Sequence, residues 1–151
     1  MTTTVNGVDS FHSMIGQHVG YSEWLSIDQA RVNLFADATG DHQWIHVDPE
    51  RAKSGPFGGP IAHGYLTLSL APKLLSSMLR VDGVAMGVNY GLNKVRFPTP
   101  VPVGGKLRLG AAIAAVEDVA GGAQLTVDLT FEVDGRDKPA CVAQAVYRYY
   151  T

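Results

Sequence analysis

Apolar and polar side chains alternate strictly in the second half of the chain, over residues 123–133. The apolar positions include Leu125, Val127, Leu129 and Phe131, and the residues between them are polar. A period of two predicts a strand that buries one face and exposes the other. Gly121-Gly122 and Asp134-Gly135 flank this segment, and both dipeptides are typical of turns between paired strands.

Further strands are predicted around this segment, over residues 84–97, 107–116 and 141–150. Residues 19–25 predict an opening strand near the start of the chain. The four later strands would form an antiparallel meander. The element order is then one strand, two helices and four strands, which indicates an α+β fold built on a single sheet.

Helical spacing characterises the first half of the chain. Ser26 and Gln29 form an S-x-x-Q pattern, which predicts a capping box at a helix start. Gly40 is suited to end that helix. One apolar face is predicted between these points, and it comprises Ile27, Ala30, Leu34, Phe35 and Ala38.

A second, longer helix is predicted from about His63 to Leu79, and it would be buried on one face of the sheet. Pro72 lies inside this run and should bend the helix, because proline removes one backbone hydrogen bond. Before it, residues 48–52 predict a short helical turn. Residues 53–60, KSGPFGGP, are a glycine- and proline-rich loop.

Composition narrows the class of protein. The length of 151 residues favours one domain, residues 1–151, and 46% hydrophobic residues suffice for a core. A net charge of −2 without a basic run argues against nucleic acid as the main partner. The most apolar segment, residues 65–79, is broken by Pro72 and Lys73 and is too short to span a membrane. The first residues lack the pattern of a signal peptide, and the lone Cys141 lies in an apolar stretch, so we expect a soluble cytoplasmic protein.

The segment GDHQWIHVD, Gly40–Asp48, concentrates two acids and two histidines. His42 and His46 have the spacing of a helical zinc pair, but Gly40 has just ended a helix and only His63 offers a third ligand, so we expect no metal. Alternatively, Asp41 is a turn residue and His46 a satisfied core histidine. The hypothesis that we favour is acid–base catalysis, in which the side chains of Asp41 and His46 converge on one water molecule.

The surroundings of this pair are predicted from the same segment. Trp44 and Ile45 would supply dry walls, which strengthen polar interactions. Asp48 could orient His46, but capping of the turn that starts at Pro49 is the favoured role.

A second motif, PIAHGYLTLSL, opens the long helix. Amide groups at a helix start have no partner within the helix, and Gly64 has no side chain to block close approach. Its N–H could therefore hold a thioester oxygen that becomes an enolate. For His63, a side chain bonded to nearby backbone is as well supported as a catalytic part.

Together these motifs resemble a known family. FADATGDHQWIHVDPERA, then GPIAHGYLTLSL, then VRFPTPVPVGGKLRL are similar to the MaoC-like (R)-specific enoyl-CoA hydratases, also called hydratase 2, in their nodulation-protein-N-like branch. The resemblance runs from about Ile15 to Tyr147. It implies a hot dog fold, with an antiparallel sheet wrapped around a long central helix, and a homodimer. It also implies reversible syn addition of water to trans-2-enoyl-CoA, giving (3R)-3-hydroxyacyl-CoA, without metal or cofactor.

By the resemblance, the catalytic Asp and His fall on Asp41 and His46, and the oxyanion amide on Gly64. Gln43 and Trp44 stand where the common family wording has Asn-Pro, and Pro72 stands where some members have a pocket serine, which leaves substrate choice open. The remaining substrate-binding candidates are Gln43, Trp44, His63, Tyr65, Lys94 and Arg96. Lys94, Arg96 and Lys106 could meet the CoA phosphates, although solvated surface positions are the simpler interpretation.

Other functions fit the same sequence. The closest is a 3-hydroxyacyl-ACP dehydratase, which runs the same chemistry toward elimination. A thioesterase is disfavoured by the Asp-x4-His pattern. From a different class, the chain could be a non-catalytic acyl-CoA-binding subunit, although such a protein need not keep Asp41, His46 and Gly64.

Overall fold

Strand β7, Gly122–Val133, lies in the middle of an antiparallel sheet in the computed structural model, which describes residues 2–151. The neighbours of β7 in the order of the sheet are β6 (Lys106–Val119) and β8 (Cys141–Tyr150), followed at the edges by β2 (His18–Tyr21) and β5 (Met86–Arg96). The short β3, Leu25–Ser26, also pairs with β6.

The alternation predicted for residues 123–133 is confirmed. One face of β7 is buried, and it carries Ala123, Leu125, Val127, Leu129, Phe131 and Val133. The strands predicted on either side are confirmed as β5, β6 and β8. Cys141 begins β8 as a fully buried thiol, and burial raises its pKa to about 11 because the charged thiolate is poorly solvated there.

The predicted meander is correct only for β6, β7 and β8. Strand β5 pairs with β8, from Met86↔Tyr150 to Arg96↔Val142, and not with β6, the next strand in the chain. The segment after β5 therefore crosses to the far side of the sheet before β6 begins. Local turn signals cannot reveal such a crossing, because it depends on which strand arrives last.

Helix α1, Gln29–Thr39, is capped differently from the prediction. Its N-cap is Asp28, whose carboxylate accepts a hydrogen bond from the Arg31 amide at 2.8 Å, while Ser26 lies in β3. The predicted capping box is therefore wrong. The predicted apolar face is also wrong at Leu34, which is 69% exposed, and at Ala30 and Ala38, which are exposed as well. The buried residues of the helix are Val32 and Ala36.

The predicted long helix is two helices. Helix α4, Gly64–Ser69, ends at Leu70, and helix α5, Ala71–Met78, begins directly afterwards. Pro72 lies in the first turn of α5, where its missing N–H needs no partner within the helix. The predicted bend inside one helix is therefore wrong, because the chain breaks between two helices at Leu70. Both helices pack their apolar residues into the core.

The N-terminal segment was not predicted. Strand β1, Thr3–Asn6, pairs in parallel with β4, Leu79–Asp82, and a 3₁₀ helix, Val8–Met14, follows it. Phe11 of that helix is fully buried. The opening strand predicted over residues 19–25 is found as two strands, β2 and β3, and residues 22–24 between them belong to neither. Among residues 2–151, no helix has the length and apolar character needed to cross a membrane.

Candidate active site

The segment after α1 returns the chain on itself within a few residues. Gly40 closes α1 in the left-handed conformation, with φ of 83°, and its amide donates to the Ala36 carbonyl. Residues 44–47 then form helix α2, Trp44–Val47. The end of a helix at Gly40 and the poor helix formers Trp44, Ile45 and Val47 had indicated an extended or turning segment here. Hydrogen bonds to the Gln43 carbonyl close this single turn, so the expectation of non-helical backbone here is wrong. The turn brings His46 back toward Asp41.

His46 is buried, and both ends of the residue are held. Its Nδ1 lies 2.7 Å from the Ile61 carbonyl oxygen, and its own carbonyl oxygen accepts from Nε2 of Gln29 at 2.8 Å. Because a carbonyl oxygen only accepts hydrogen bonds, Nδ1 carries the proton of the neutral ring and Nε2 has the lone pair. Burial lowers the pKa of His46, since it penalises the charged imidazolium; the Ile61 bond opposes this effect.

His63 lies against both His46 and Asp41. Its ring stacks on the ring of His46 with centroids 3.8 Å apart and planes tilted by 23°. Its Nε2 lies 2.9 Å from the main-chain carbonyl oxygen of Asp41. Phe35 packs on the same imidazole at 4.8 Å. His63 is 3% exposed. The bond to the Asp41 carbonyl is the kind of side-chain contact with nearby backbone that the sequence suggested for this residue.

The structure brings Asp41, His46 and His63 into one cluster. Each contributes a potential ligand atom, and the three atoms lie within 4.8 Å of one another. Each histidine, however, directs one ring nitrogen at a carbonyl oxygen, and Nδ1 of His63 is covered from solvent. The other nitrogen of each neutral ring keeps a lone pair, as in histidines that bind metals. Asp41 is exposed, and its carboxylate accepts a long hydrogen bond from the Gln43 amide at 3.3 Å.

A cavity of about 420 Å³ opens beside His46. It is lined mainly by apolar residues of the loops before α4 and after β5, and its walls include His46, Gly64, Thr67, Phe97 and Val101. Gly64 is the first residue of α4, so its amide has no partner within that helix. A Cβ on Gly64 would lie 3.2 Å from the Phe97 ring, which explains why the smallest residue fits here.

The other predicted contact residues lie in varied places. Gln43 is the N-cap of α2, and the Trp44 ring packs under Arg51, whose guanidinium carbon lies 4.4 Å from the ring centroid. Tyr65 is 73% exposed. Lys94, Arg96 and Lys106 are exposed on strands and are not among the residues that line the cavity.

Two neighbours of the cluster have local roles. His42 pairs with Asp37 at 2.9 Å on the surface, and this hydrogen bond raises the pKa of His42. The Asp48 carboxylate accepts from the Arg51 amide and caps helix α3, Pro49–Lys53, as the favoured interpretation predicted.

Two site residues were missed from the sequence. Gln29 was assigned to a capping box, although its amide instead joins α1 to the His46 carbonyl. Phe97 was read only as the end of a strand, yet it covers Gly64. No spacing rule signals either contact, because both depend on how separate elements pack.

A second apolar cavity, of about 300 Å³, lies between the two central helices and strands β5 and β8. Pro72 is one of its walls, together with Leu68, Ala71, Leu92, Leu129 and Tyr147. Burial raises the pKa of Tyr147 to about 12, so this wall carries no charge at neutral pH.

Comparison with known proteins supports the resemblance seen in the motifs. The chain is 56% identical over 147 residues to 3-hydroxyacyl-thioester dehydratase Z of Mycobacterium tuberculosis, covering 97% of both proteins. It is 47% identical over 135 residues to nodulation protein N of Rhizobium leguminosarum bv. viciae, covering 87% of this chain and 83% of that protein.

A solved structure and a family model agree with these relatives. The (R)-hydratase from A. caviae involved in PHA biosynthesis superposes with a TM-score of 0.70 at 28% identity, over 88% of this chain and 94% of the other. This likeness confirms the hot dog fold, with two short helices in place of one long one. The family model described as MaoC like domain matches residues 10–134. The chain therefore belongs to the MaoC-like family, and its relatives named above include a dehydratase and a hydratase.

Proposed function

We propose that the chain is a hydro-lyase, an (R)-specific enoyl-CoA hydratase that adds water reversibly to trans-2-enoyl-CoA and gives (3R)-3-hydroxyacyl-CoA. The chain would act as one MaoC-like domain, residues 1–151, in a homodimer. The observation that carries this proposal is the meeting of an exposed carboxylate, Asp41, with a buried imidazole, His46, which itself lines a largely apolar cavity.

The pair has the chemistry needed to hold one water molecule. Nδ1–H of His46 donates to the Ile61 carbonyl oxygen, so Nε2 of the neutral ring has a lone pair that can accept a hydrogen bond. The Asp41 carboxylate is a hydrogen-bond acceptor as well. A water that donates one hydrogen to each group presents its own lone pair to C3 of the enoyl thioester. The pair takes one proton as oxygen bonds to C3 and returns one proton to C2 on the same face.

Gly64 would supply the electrostatic part of the reaction. Negative charge develops on the thioester oxygen when water attacks C3, and an amide N–H aimed at that oxygen stabilises it. Gly64 shares the cavity wall with His46, and the Phe97 ring lies against it. Apolar walls keep competing water away from the developing charge and strengthen the hydrogen bond.

The exposed edge of strand β5 offers a structural reason for the proposed homodimer. This strand forms the edge of the sheet, and its far side has no partner strand within the described part of the chain. Its exposed side chains include Met86, Tyr90 and Leu92. An unpaired apolar edge favours association, and a two-fold pairing of β5 with its copy would cover it.

Dehydration on a carrier protein remains the second candidate. The relative that is 56% identical is named a 3-hydroxyacyl-thioester dehydratase, a name that fixes neither the carrier nor the chain length for this protein. Because one active site catalyses both directions of a reversible reaction, carrier and direction are separate questions.

The test is an ultraviolet assay of enoyl-thioester loss, run with CoA and ACP carriers and several chain lengths, with chiral analysis of the product. We expect turnover of enoyl-CoA to the (3R) alcohol, and the same turnover after treatment with a chelator. Faster turnover of ACP substrates would favour the dehydratase. Loss of activity on chelation, restored by zinc, would revive a metal site at the cluster. Binding of acyl-CoA without turnover would favour the non-catalytic subunit.

A further inference from the structure

His63 connects the two parts of the proposed reaction centre. Its Nε2 lies 2.9 Å from the Asp41 carbonyl oxygen, and its ring lies on the face of the His46 ring. Asp41 and His46 themselves are on different elements, one in the loop after α1 and the other in α2. His63, just before α4, therefore contacts both from a third element.

The hydrogen bond fixes the state of the His63 ring. A carbonyl oxygen only accepts, so Nε2 donates its proton and the neutral ring keeps a lone pair on Nδ1. That Nδ1 is fully covered and has no hydrogen-bond partner among residues 2–151. A buried nitrogen without a partner is unfavourable. An apolar ring would fill the same space without the free-energy cost of the unpaired nitrogen, yet the chain has a histidine here.

The bond to Asp41 is the stronger of the restraints on that residue. The Asp41 amide lies 3.4 Å from the Thr39 hydroxyl, and its carboxylate accepts from the Gln43 amide at 3.3 Å. Both of these are long for hydrogen bonds and both are local. The His63 bond, at 2.9 Å and across 22 positions, anchors the loop to the start of α4.

The ring stack restrains His46 in the same way. The His63 ring packs against the rings of both Phe35 and His46, so rotation of the His46 ring would break its stack on His63. Nδ1 of His46 is already held by Ile61, which sets the direction of Nε2. Position and direction of the proposed base thus come from two separate contacts.

We propose that His63 is a positioning residue, which holds the Asp41 main chain by a hydrogen bond and the His46 ring by stacking so that both meet one water. This inference rests on the proposed hydration. It assigns to His63 no contact with substrate. Since misplacement of reacting groups by about 1 Å can lower a rate about 100-fold, the loss of His63 should appear in kcat.

Three substitutions separate the two contacts. His63→Gln keeps a donor at a similar distance from the backbone but removes the ring, and His63→Phe keeps the ring but removes the donor. His63→Ala removes both. His42→Gln is the matched control, because His42 lies in the same region but is exposed and pairs with Asp37 on the surface.

The measurements are kcat and KM for a short enoyl-CoA, thermal melting, and ¹⁵N shifts of the His46 imidazole. We expect kcat to fall about 100-fold in His63→Ala and about tenfold in each of the other two variants, with KM changed less than twofold. The control should keep normal kcat. If His63→Ala fails to fold, the Gln and Phe variants decide the question.

Normal kcat in folded His63→Gln and His63→Phe would overturn the inference while leaving the proposed hydration intact. A loss of kcat that only tracks unfolding, with unchanged His46 shifts, would also overturn it. A wild-type protein that turns over no enoyl thioester would instead overturn the proposed function, and the inference with it.

Discussion

Nδ1 of His46 and the carbonyl oxygen of Ile61 lie 2.7 Å apart in a buried hydrogen bond. Ile61 in turn donates its amide to the Ile45 carbonyl, so the loop before α4 and the single turn of α2 hold each other. The bond sets the tautomer of His46 and makes Nε2 the nitrogen that can accept a proton. It also gives the proposed reaction a defined dependence on pH.

We expect the hydration rate to fall on the acidic side of the ordinary histidine range. Burial lowers the pKa of His46 from its usual value near 6.5, so the ring stays neutral at pH 6.5 and becomes protonated only at lower pH. Protonation removes the Nε2 lone pair and with it the acceptor for water. A profile of kcat/KM against pH should show its acid limb below pH 6.5. An acid limb above pH 7 would contradict this assignment.

Asp41→Asn and His46→Gln should each lower the hydration rate by about 10²–10⁴, the usual contribution of a positioned acid or base. Both changes keep size and some hydrogen bonding, so the fold should persist. The double variant should lose far less than the product of the single losses, because both groups act on one water. His42→Gln, on the exposed pair with Asp37, should remain close to normal. Near-normal turnover in either single variant would refute the acid–base role.

Gln29→Leu should destabilise the protein by about 1–3 kcal/mol, because it leaves the main-chain carbonyl of His46 without its donor. Activity should fall with it, since the carbonyl belongs to the residue that carries the proposed base. Asn33→Ala is the control, because Asn33 is the exposed partner of the same amide. Urea unfolding compares the free energies of unfolding. Equal stability of the two variants would show that the Gln29 contact is unimportant.

Pro72→Ser should change the preferred acyl-chain length. Pro72 is a wall of the 300 Å³ cavity between α5 and β5, and serine is smaller and polar. Turnover of enoyl-CoA substrates from short to long chains gives the profile. We expect the largest change for the longer chains, which reach farthest from His46. A profile identical to that of the wild type would remove this cavity from the acyl path.

Tyr90→Asp should shift the protein from dimer to monomer, because it introduces a charge on the exposed apolar edge of β5. Leu34→Asp is the control, since Leu34 on α1 is an apolar residue that is even more exposed than Tyr90. Light scattering at micromolar concentration reports the mass. If wild type is monomeric and active, the dimer is not the smallest active unit.

The strands were predictable where one face is buried and the other is solvated. Strand β7 shows this best, because each inward residue from Leu125 to Phe131 is followed by a polar one. Asp48-Pro49 was also readable, since a carboxylate before proline caps a helix locally. These signals depend only on neighbours in the chain.

The failures share a different cause. Ser26 satisfies the capping pattern, but pairing with Lys106 holds it in a strand, and Asp28 caps the helix instead. Residues 44–47 are weak helix formers, yet they form a single helical turn between Gln43 at its N-terminus and Asp48 at its C-terminus. In the candidate site, the motifs predicted roles for Asp41, His46 and Gly64, and the structure places Asp41 beside His46 and Gly64 on the same cavity wall as His46. The contacts of Gln29 and Phe97 arise from packing. Tertiary contacts decided each of these cases.

The pairing of β5 with β8 has a consequence for how the protein is made. Strand β5 ends at Arg96, but its only partner along the described chain is the last strand, Cys141–Tyr150. During synthesis β5 therefore leaves the ribosome before β8 has been made. Until then neither edge of β5 is paired, and its apolar side chains are exposed. Such delayed, long-range pairing slows folding and exposes the nascent chain to aggregation. The sheet closes only when its final ten residues emerge.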